Sequence, residues 1–208
     1  MWVIKLGGSL LSSGSLKEWL SIIVEHGAGK VVIVPGGGIF ADQVRDAQQK
    51  LKFDDKAAHQ MALLAMEQYA YLLQSYAPDL SLSDSIEEIE KNISRNQVPV
   101  WLSFKMINTC QDMSTNWNLT SDSLALWLAD KLNAEHTMLV KSVGVSKLNC
   151  RNSNARQLSE TGMVDKGFPE FVKKSESAIW WLDKDDLNAL GNLLKENGNP
   201  EDYFNSIT

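Results

Sequence analysis

The chain has 208 residues, 44% hydrophobic and 22% charged, enough apolar content for one substantial core and a balance that excludes gross disorder. Its formal net charge of −6 opposes a broad footprint on nucleic acid, which needs clustered Lys and Arg. No apolar run is long enough to span a membrane and the start lacks the pattern of a signal peptide, so a cytoplasmic protein with a single domain over residues 1 to 208 is expected.

Residues 2 to 6 (WVIKL) and 30 to 35 (KVVIVP) are short, β-branched apolar runs closed by Gly or Pro, as strands buried on both faces require. Between them, SLKEWLSIIVEHG carries apolar residues at helical spacing. A second helix is predicted from about Phe40 to Leu51 and a third from about Asp55 to Tyr76. Further strands are expected at 98 to 104, 136 to 143 and 177 to 182, further helices near 84 to 95 and 121 to 133, and DDLNALGNLLKENG closes the chain as a helix. Residues 105 to 118 are the least regular stretch and read as a loop over the site. Strands alternating with helices predict an α/β fold with a mainly parallel sheet covered on both faces and its sites at the strand C-terminal ends. Cys110 and Cys150 are isolated thiols without CxxC spacing, as in a reducing compartment.

Two glycine turns sit at those strand ends. Gly7 and Gly8 follow the first strand and Ser9 can start a helix, so backbone N–H groups suited to phosphate are exposed beside Lys5. Taken alone, such glycines serve tight turns as often. Gly36, Gly37 and Gly38 join the second strand to a helix, and three consecutive glycines sacrifice backbone entropy that ordinary packing rarely demands; close approach of an anion explains them better. Neither turn matches GxxxxGK followed by Ser or Thr. Gly36, Gly38 and Ala41 fit GxGxxA, with Asp54 and Asp55 at the distance of a ribose-binding acid, which makes a dinucleotide-dependent oxidoreductase one alternative; against it, KFDDKAAHQMALL reads as a helix start rather than a strand end.

The remaining residues of interest each have a bland reading. Thr120, Ser121 or Asp122 would cap the following helix. Met61, Leu64, Met66 and Tyr69 recur at helical spacing and are expected in the core. Trp101, Trp127, Trp180 and Trp181 are expected in core or interface. His59 packs, caps or binds an acceptor phosphate, with packing favoured, since no metal-ligand partner stands at recognisable spacing; no metal site is expected of the protein itself.

Together KLGGSL, VPGGG and NLTSDSLALWLA resemble the amino-acid kinase family, and MLVKSVGV lies where these kinases place a strand and turn against the nucleotide. The resemblance implies a three-layer αβα sandwich, ATP with Mg2+ as donor, a small acceptor bearing a carboxylate, carbamate or phosphate, and a homo-oligomer. By position, Lys5 would contact the transferring phosphoryl group, Asp122 would orient the lysines, and Gly7, Gly8, Ser9, Gly36, Gly37 and Gly38 would bind phosphate. Lys141, Ser142, Gly144 and Val145 would face the nucleotide, although the Asp-Gly-Val of many relatives is absent there. Gly162-Met163-Val164-Asp165-Lys166 resembles the Gly-Met-x-x-Lys of acetylglutamate kinases, which makes Lys166 a catalytic candidate with Lys141 as the other source of a second charge. AAHQMALLAMEQYAYLL and TNWNLTSDSLALWLA look like the small (aminomethyl)furanmethanol phosphate kinase subgroup linked to methanofuran synthesis. His59, Trp117, Thr120 and Ser121 would then bind the acceptor, with Trp117 or Tyr69 as an aromatic wall. A third alternative is a binding protein that kept the fold and lost catalysis.

Overall fold

The computed structural model describes residues 1–110, 117–142, 152–196 and 198–208. Its strands are β1 (Trp2–Leu6), β2 (Val31–Pro35), β3 (Leu80–Ser83), β4 (Val98–Trp101), β5 (His136–Lys141), β6 (Asn152–Ser153), β7 (Ala178–Asp183) and β8 (Asn205–Ile207). They form one sheet in the order β3-β4-β2-β1-β5-β7-β8-β6, in which every pairing is parallel except that of β7 with β8. The helices are α1 (Leu16–Gly27), α2 (Gly38–Leu51), α3 (Asp55–Tyr76), α4 (Ile86–Ser94), α5 (Phe104–Thr109), α6 (Ser121–Lys131), α7 (Ala155–Glu160), α8 (Phe168–Val172) and α9 (Leu187–Glu196).

Successive strand residues face opposite sides, and the two cores follow that period of two. Trp2, Ile4 and Leu6 of β1 pack with Trp19, Leu20 and Ile23 of α1 and Leu190 and Leu193 of α9. Val3 of β1 and Val32 and Val34 of β2 pack with Leu124, Ala125 and Leu128 of α6 and Ile89 of α4. The result is three layers, helix, sheet, helix. Lys5 has the parity of Val3, so its side chain leaves the central strand toward α6.

The long helices and the strands β1, β2, β5 and β7 stand within two residues of where the sequence predicts them, and several of the shorter elements differ. β4 stops at Trp101 and α5 occupies the first part of the segment read as loop; residues 111 to 116 of that segment lie outside the described residues. Met66 and Tyr69 are buried as expected, but Met61 and Leu64 are 40% and 42% exposed, because only one stripe of α3 meets the core. Trp101, Trp180 and Trp181 are buried and Trp127 packs partly buried against Trp101. Asp54 caps α3, accepting from Ala57 N–H at 2.7 Å; it ends no strand, so the dinucleotide fingerprint lacks its acid.

Candidate active site

β1 and β2 are neighbours in parallel register, with Leu6 opposite Pro35, so the turns that follow them meet. They meet backbone to backbone. A Cβ on Gly8 would lie 2.1 Å from Cα of Gly38, and Gly38 itself takes φ +52°, which L side chains rarely adopt. Part of the glycine demand is therefore mutual packing of the two turns, and part is the cavity of about 420 Å³ that Gly8, Gly36, Gly37 and Gly38 line. α2 begins at Gly38 and α6 at Ser121, and residues of both first turns line the same cavity, so two positive helix ends face it.

At the floor, Asp122 stands between two lysines. Lys141 Nζ donates to Oδ2 at 2.6 Å, and Lys5 Nζ lies 2.9 Å from Oδ1 as an ion pair without hydrogen-bond alignment. All three are at least nine-tenths buried. Burial alone would raise the Asp122 carboxyl, but the Lys141 and Lys5 charges outweigh it and hold the group down to about 2. Burial lowers Lys141 to about 8 despite the attraction of Asp122, with Lys5 acting in the same direction as burial. Two ammonium groups share one carboxylate, a charge excess that suits an incoming anion.

The outer wall is aromatic and cationic. Arg45 of α2 lies 4.5 Å above the Trp117 ring and pairs with Asp42 at 2.6 Å, while Trp117 Nε1 donates to Gln48 Oε1 at 2.6 Å. His59 of α3 lines the cavity, buried, with Nε2 lacking a partner among the described residues; desolvation lowers its pKa and favours the neutral ring.

Residues 1–165 match the family described as amino acid kinase family. The chain belongs to that family. A curated relative, the [5-(aminomethyl)furan-3-yl]methyl phosphate kinase of Methanocaldococcus jannaschii, is 26% identical over 189 residues, covering 84% of this chain and 83% of the relative. Among solved structures, uridylate kinase from Archaeoglobus fulgidus superposes with TM-score 0.73 at 18% identity, over 100% of this chain and 99% of that one. Isopentenyl phosphate kinase of T. acidophilum superposes with TM-score 0.59 at 12% identity, covering both chains fully. The likeness to these structures carries the fold, and family membership makes the chain a kinase of small molecules.

Within this kinase the cavity brings together Lys5, Asp122, Gly8, Gly36, Gly37, Gly38, His59, Trp117, Thr120 and Ser121, with Lys141 joined through Asp122. Gly7 instead accepts at its carbonyl from Tyr69 Oη at 3.3 Å, so Tyr69 supports the turn from beneath. Ser9 falls within the 3-10 turn Gly8–Ser12. Ser142 follows β5 and is exposed; Gly144 and Val145 lie outside the described residues. Lys166 is exposed and is not among the residues lining the cavity, so the geometry makes Lys141 the second ammonium at Asp122. None of Thr120, Ser121 and Asp122 is a local side-chain cap: Thr120 occupies the N-cap position of α6 without a side-chain cap bond to the helix. Asp165 does that work from 45 residues away. Sequence reading missed Asp165 and Arg45. The second was detectable, since Gly38, Ala41 and Arg45 share one face of α2 at spacings of three and four.

Proposed function

We propose that this kinase transfers the γ-phosphoryl group of ATP to a phosphate oxygen of a compact phosphomonoester, the class to which the acceptor named for the M. jannaschii relative belongs, within methanofuran or related C1-carrier biosynthesis. The observation that carries the reading is Asp122 bridging Lys5 and Lys141 beneath two glycine turns. An acceptor phosphate oxygen attacks the γ-phosphorus, the bond to the β,γ-bridging oxygen breaks, and that electron pair leaves with ADP. The acceptor arrives ionised, so no general base is required. Lys5 and Lys141 stabilise charge on the transferring group, and Asp122 holds the two ammoniums at fixed positions.

Backbone N–H groups of Gly8, Gly37 and Gly38 would hold the phosphates, with Gly7, Ser9 and Gly36 forming the rest of the turns. Thr120, Ser121, neutral His59 and Arg45 would bind the acceptor phosphate against the Trp117 ring. Lys141 and Ser142, at the end of β5, would face the nucleotide. Among the described residues no group of three or more His, Cys, Asp and Glu could hold a metal ion, and Asp122 is already occupied by lysines. Mg2+ would enter as part of the MgATP substrate, neutralising its phosphate charge. A pure binding protein has no need of a buried carboxylate between two buried lysines, which favours a working catalyst over a storage protein.

A coupled ADP-release screen over small phosphates and carboxylates tests the reading. Turnover with (aminomethyl)furanmethyl phosphate, and none with acetylglutamate or aspartate, is expected. Turnover confined to carboxylates would refute phosphate as the acceptor group.

A further inference from the structure

Asp165 lies in the segment between α7 and α8, far in sequence from α6, yet its carboxylate closes the start of that helix. Oδ2 accepts from Thr120 N–H at 3.1 Å, from Thr120 Oγ1 at 2.9 Å and from Ser123 N–H at 3.0 Å, and Oδ1 accepts from Ser123 Oγ. The N–H of Ser123 is the third in the helix, the group that an N-cap side chain ordinarily satisfies. The segment is itself anchored. Gly167 N–H donates to Asn118 carbonyl at 2.6 Å, Ser159 Oγ donates to the Asp165 carbonyl at 3.2 Å, and Val164 and Phe168 are buried. Between Thr120 and Ser123, the two residues that Asp165 holds, stands Asp122.

We propose that Asp165 is a positioning residue of the phosphoryl-transfer site: its carboxylate caps α6 from outside the helix and fixes the turn on which Asp122 bridges Lys5 and Lys141. The charge matters as well as the bonds. Four donors converge on two carboxylate oxygens; an amide keeps these contacts only if its NH2 turns to Ser123 Oγ and that hydroxyl accepts instead of donating, and it brings no charge. Lys141 meets Asp122 from α6, Lys5 from β1, the field of Asp165, and Asp183 as its register partner on β7; the carboxylate of Asp165 favours the protonated lysine. The role rests on the phosphoryl-transfer reading, but the lysine titration that tests it needs no acceptor.

The experiment compares wild type with Asp165→Asn, following the Lys141 Cε resonance by 13C NMR against pH, with Lys141→Arg to assign it, and measuring kcat and ATP KM with whichever acceptor turns over. The expected result is a Lys141 titration moved to lower pH and kcat reduced at least tenfold, with ATP KM changed less than threefold. A folded Asp165→Asn protein with wild-type Lys141 titration and kcat overturns the proposal, even if its melting temperature falls, because that is the pattern of a merely structural cap. If Asp165→Asn does not fold, Ser123→Ala removes one of the four bonds and should lower kcat in the same direction by a smaller factor; unchanged kcat there overturns the proposal equally. Absence of turnover in wild type would instead count against the kinase reading, and the titration would still decide the role of Asp165.

Discussion

Asp122 carries more of the molecule than its place in a helical run suggests. It is 5% exposed and tied to two buried lysines, so removing its charge leaves Lys5 and Lys141 facing each other without compensation. Asp122→Asn should lower kcat by about two to three decades, as expected when about 3 to 4 kcal/mol of transition-state stabilisation is lost. It should also destabilise the fold by about 3 kcal/mol, the usual scale for breaking a buried pair, where a helix cap replaced by Asn would cost almost nothing. Lys5→Ala should lower kcat as much with a smaller loss of stability, since Asp122 keeps Lys141. Turnover with a confirmed acceptor and urea denaturation at pH 7 check both variants. Protonation follows the same logic with opposite signs for rate and stability. Lys141 titrates near 8 in the folded chain against an ordinary 10.5, so the unfolded chain binds more protons between those values, and this group's contribution to stability rises with pH across that window. Catalysis needs the charge, so kcat/KM should fall as pH rises through about 8, and bound MgATP should move that limb upward in kcat. Asp122, held near 2 against 3.8, contributes stability that is complete above about pH 4 and is lost as pH falls through about 2. A pH–rate profile flat to pH 10 would contradict the assignment of Lys141.

At the level of elements, the site exists because β1 and β2 end side by side and hand their chains to turns without side chains. Gly8→Ala forces a methyl into the Gly38 backbone, where no flexible side chain can yield. The two turns must separate, and the phosphate cradle should open with them. We expect Gly8→Ala to lower the melting temperature and to abolish the further rise that saturating MgATP gives the wild-type protein, whereas NADH should stabilise neither. A normal MgATP shift in this variant would mean that the first turn does not hold phosphate. The elements that carry this geometry were legible for two reasons: α1, α2, α3 and α6 announce themselves through apolar periods over 11 to 22 residues, and β1 and β2, five residues each, do so as β-branched apolar runs closed by glycine or proline. β3, β6, β8, α5, α7 and α8, each no longer than six residues, did not, since so few residues complete too few periods to separate helix from strand.

Over the whole molecule, Met61, Leu64 and Tyr71 leave an apolar stripe on the solvent side of α3, with Tyr71 58% exposed. We expect self-association to cover it. Sedimentation at micromolar concentration should give at least a dimer, and Leu64→Lys should shift the population toward monomer; a monomeric wild type would contradict this without affecting the chemistry. No helix among the described residues is long and apolar enough to cross a membrane. The division between sequence and fold follows the range of the interactions. Strand parity, helical stripes and glycine after a strand are local, so the sequence by itself determined the sandwich, the two turns and the face on which Lys5 emerges. The meeting of Lys5, Asp122 and Lys141, the Arg45 stack on Trp117 and the capping of α6 by Asp165 join residues 19 to 117 positions apart. Nothing local marks such partners: a charge becomes a partner only when packing removes water from around both members, and only the tertiary structure decides which charges those are.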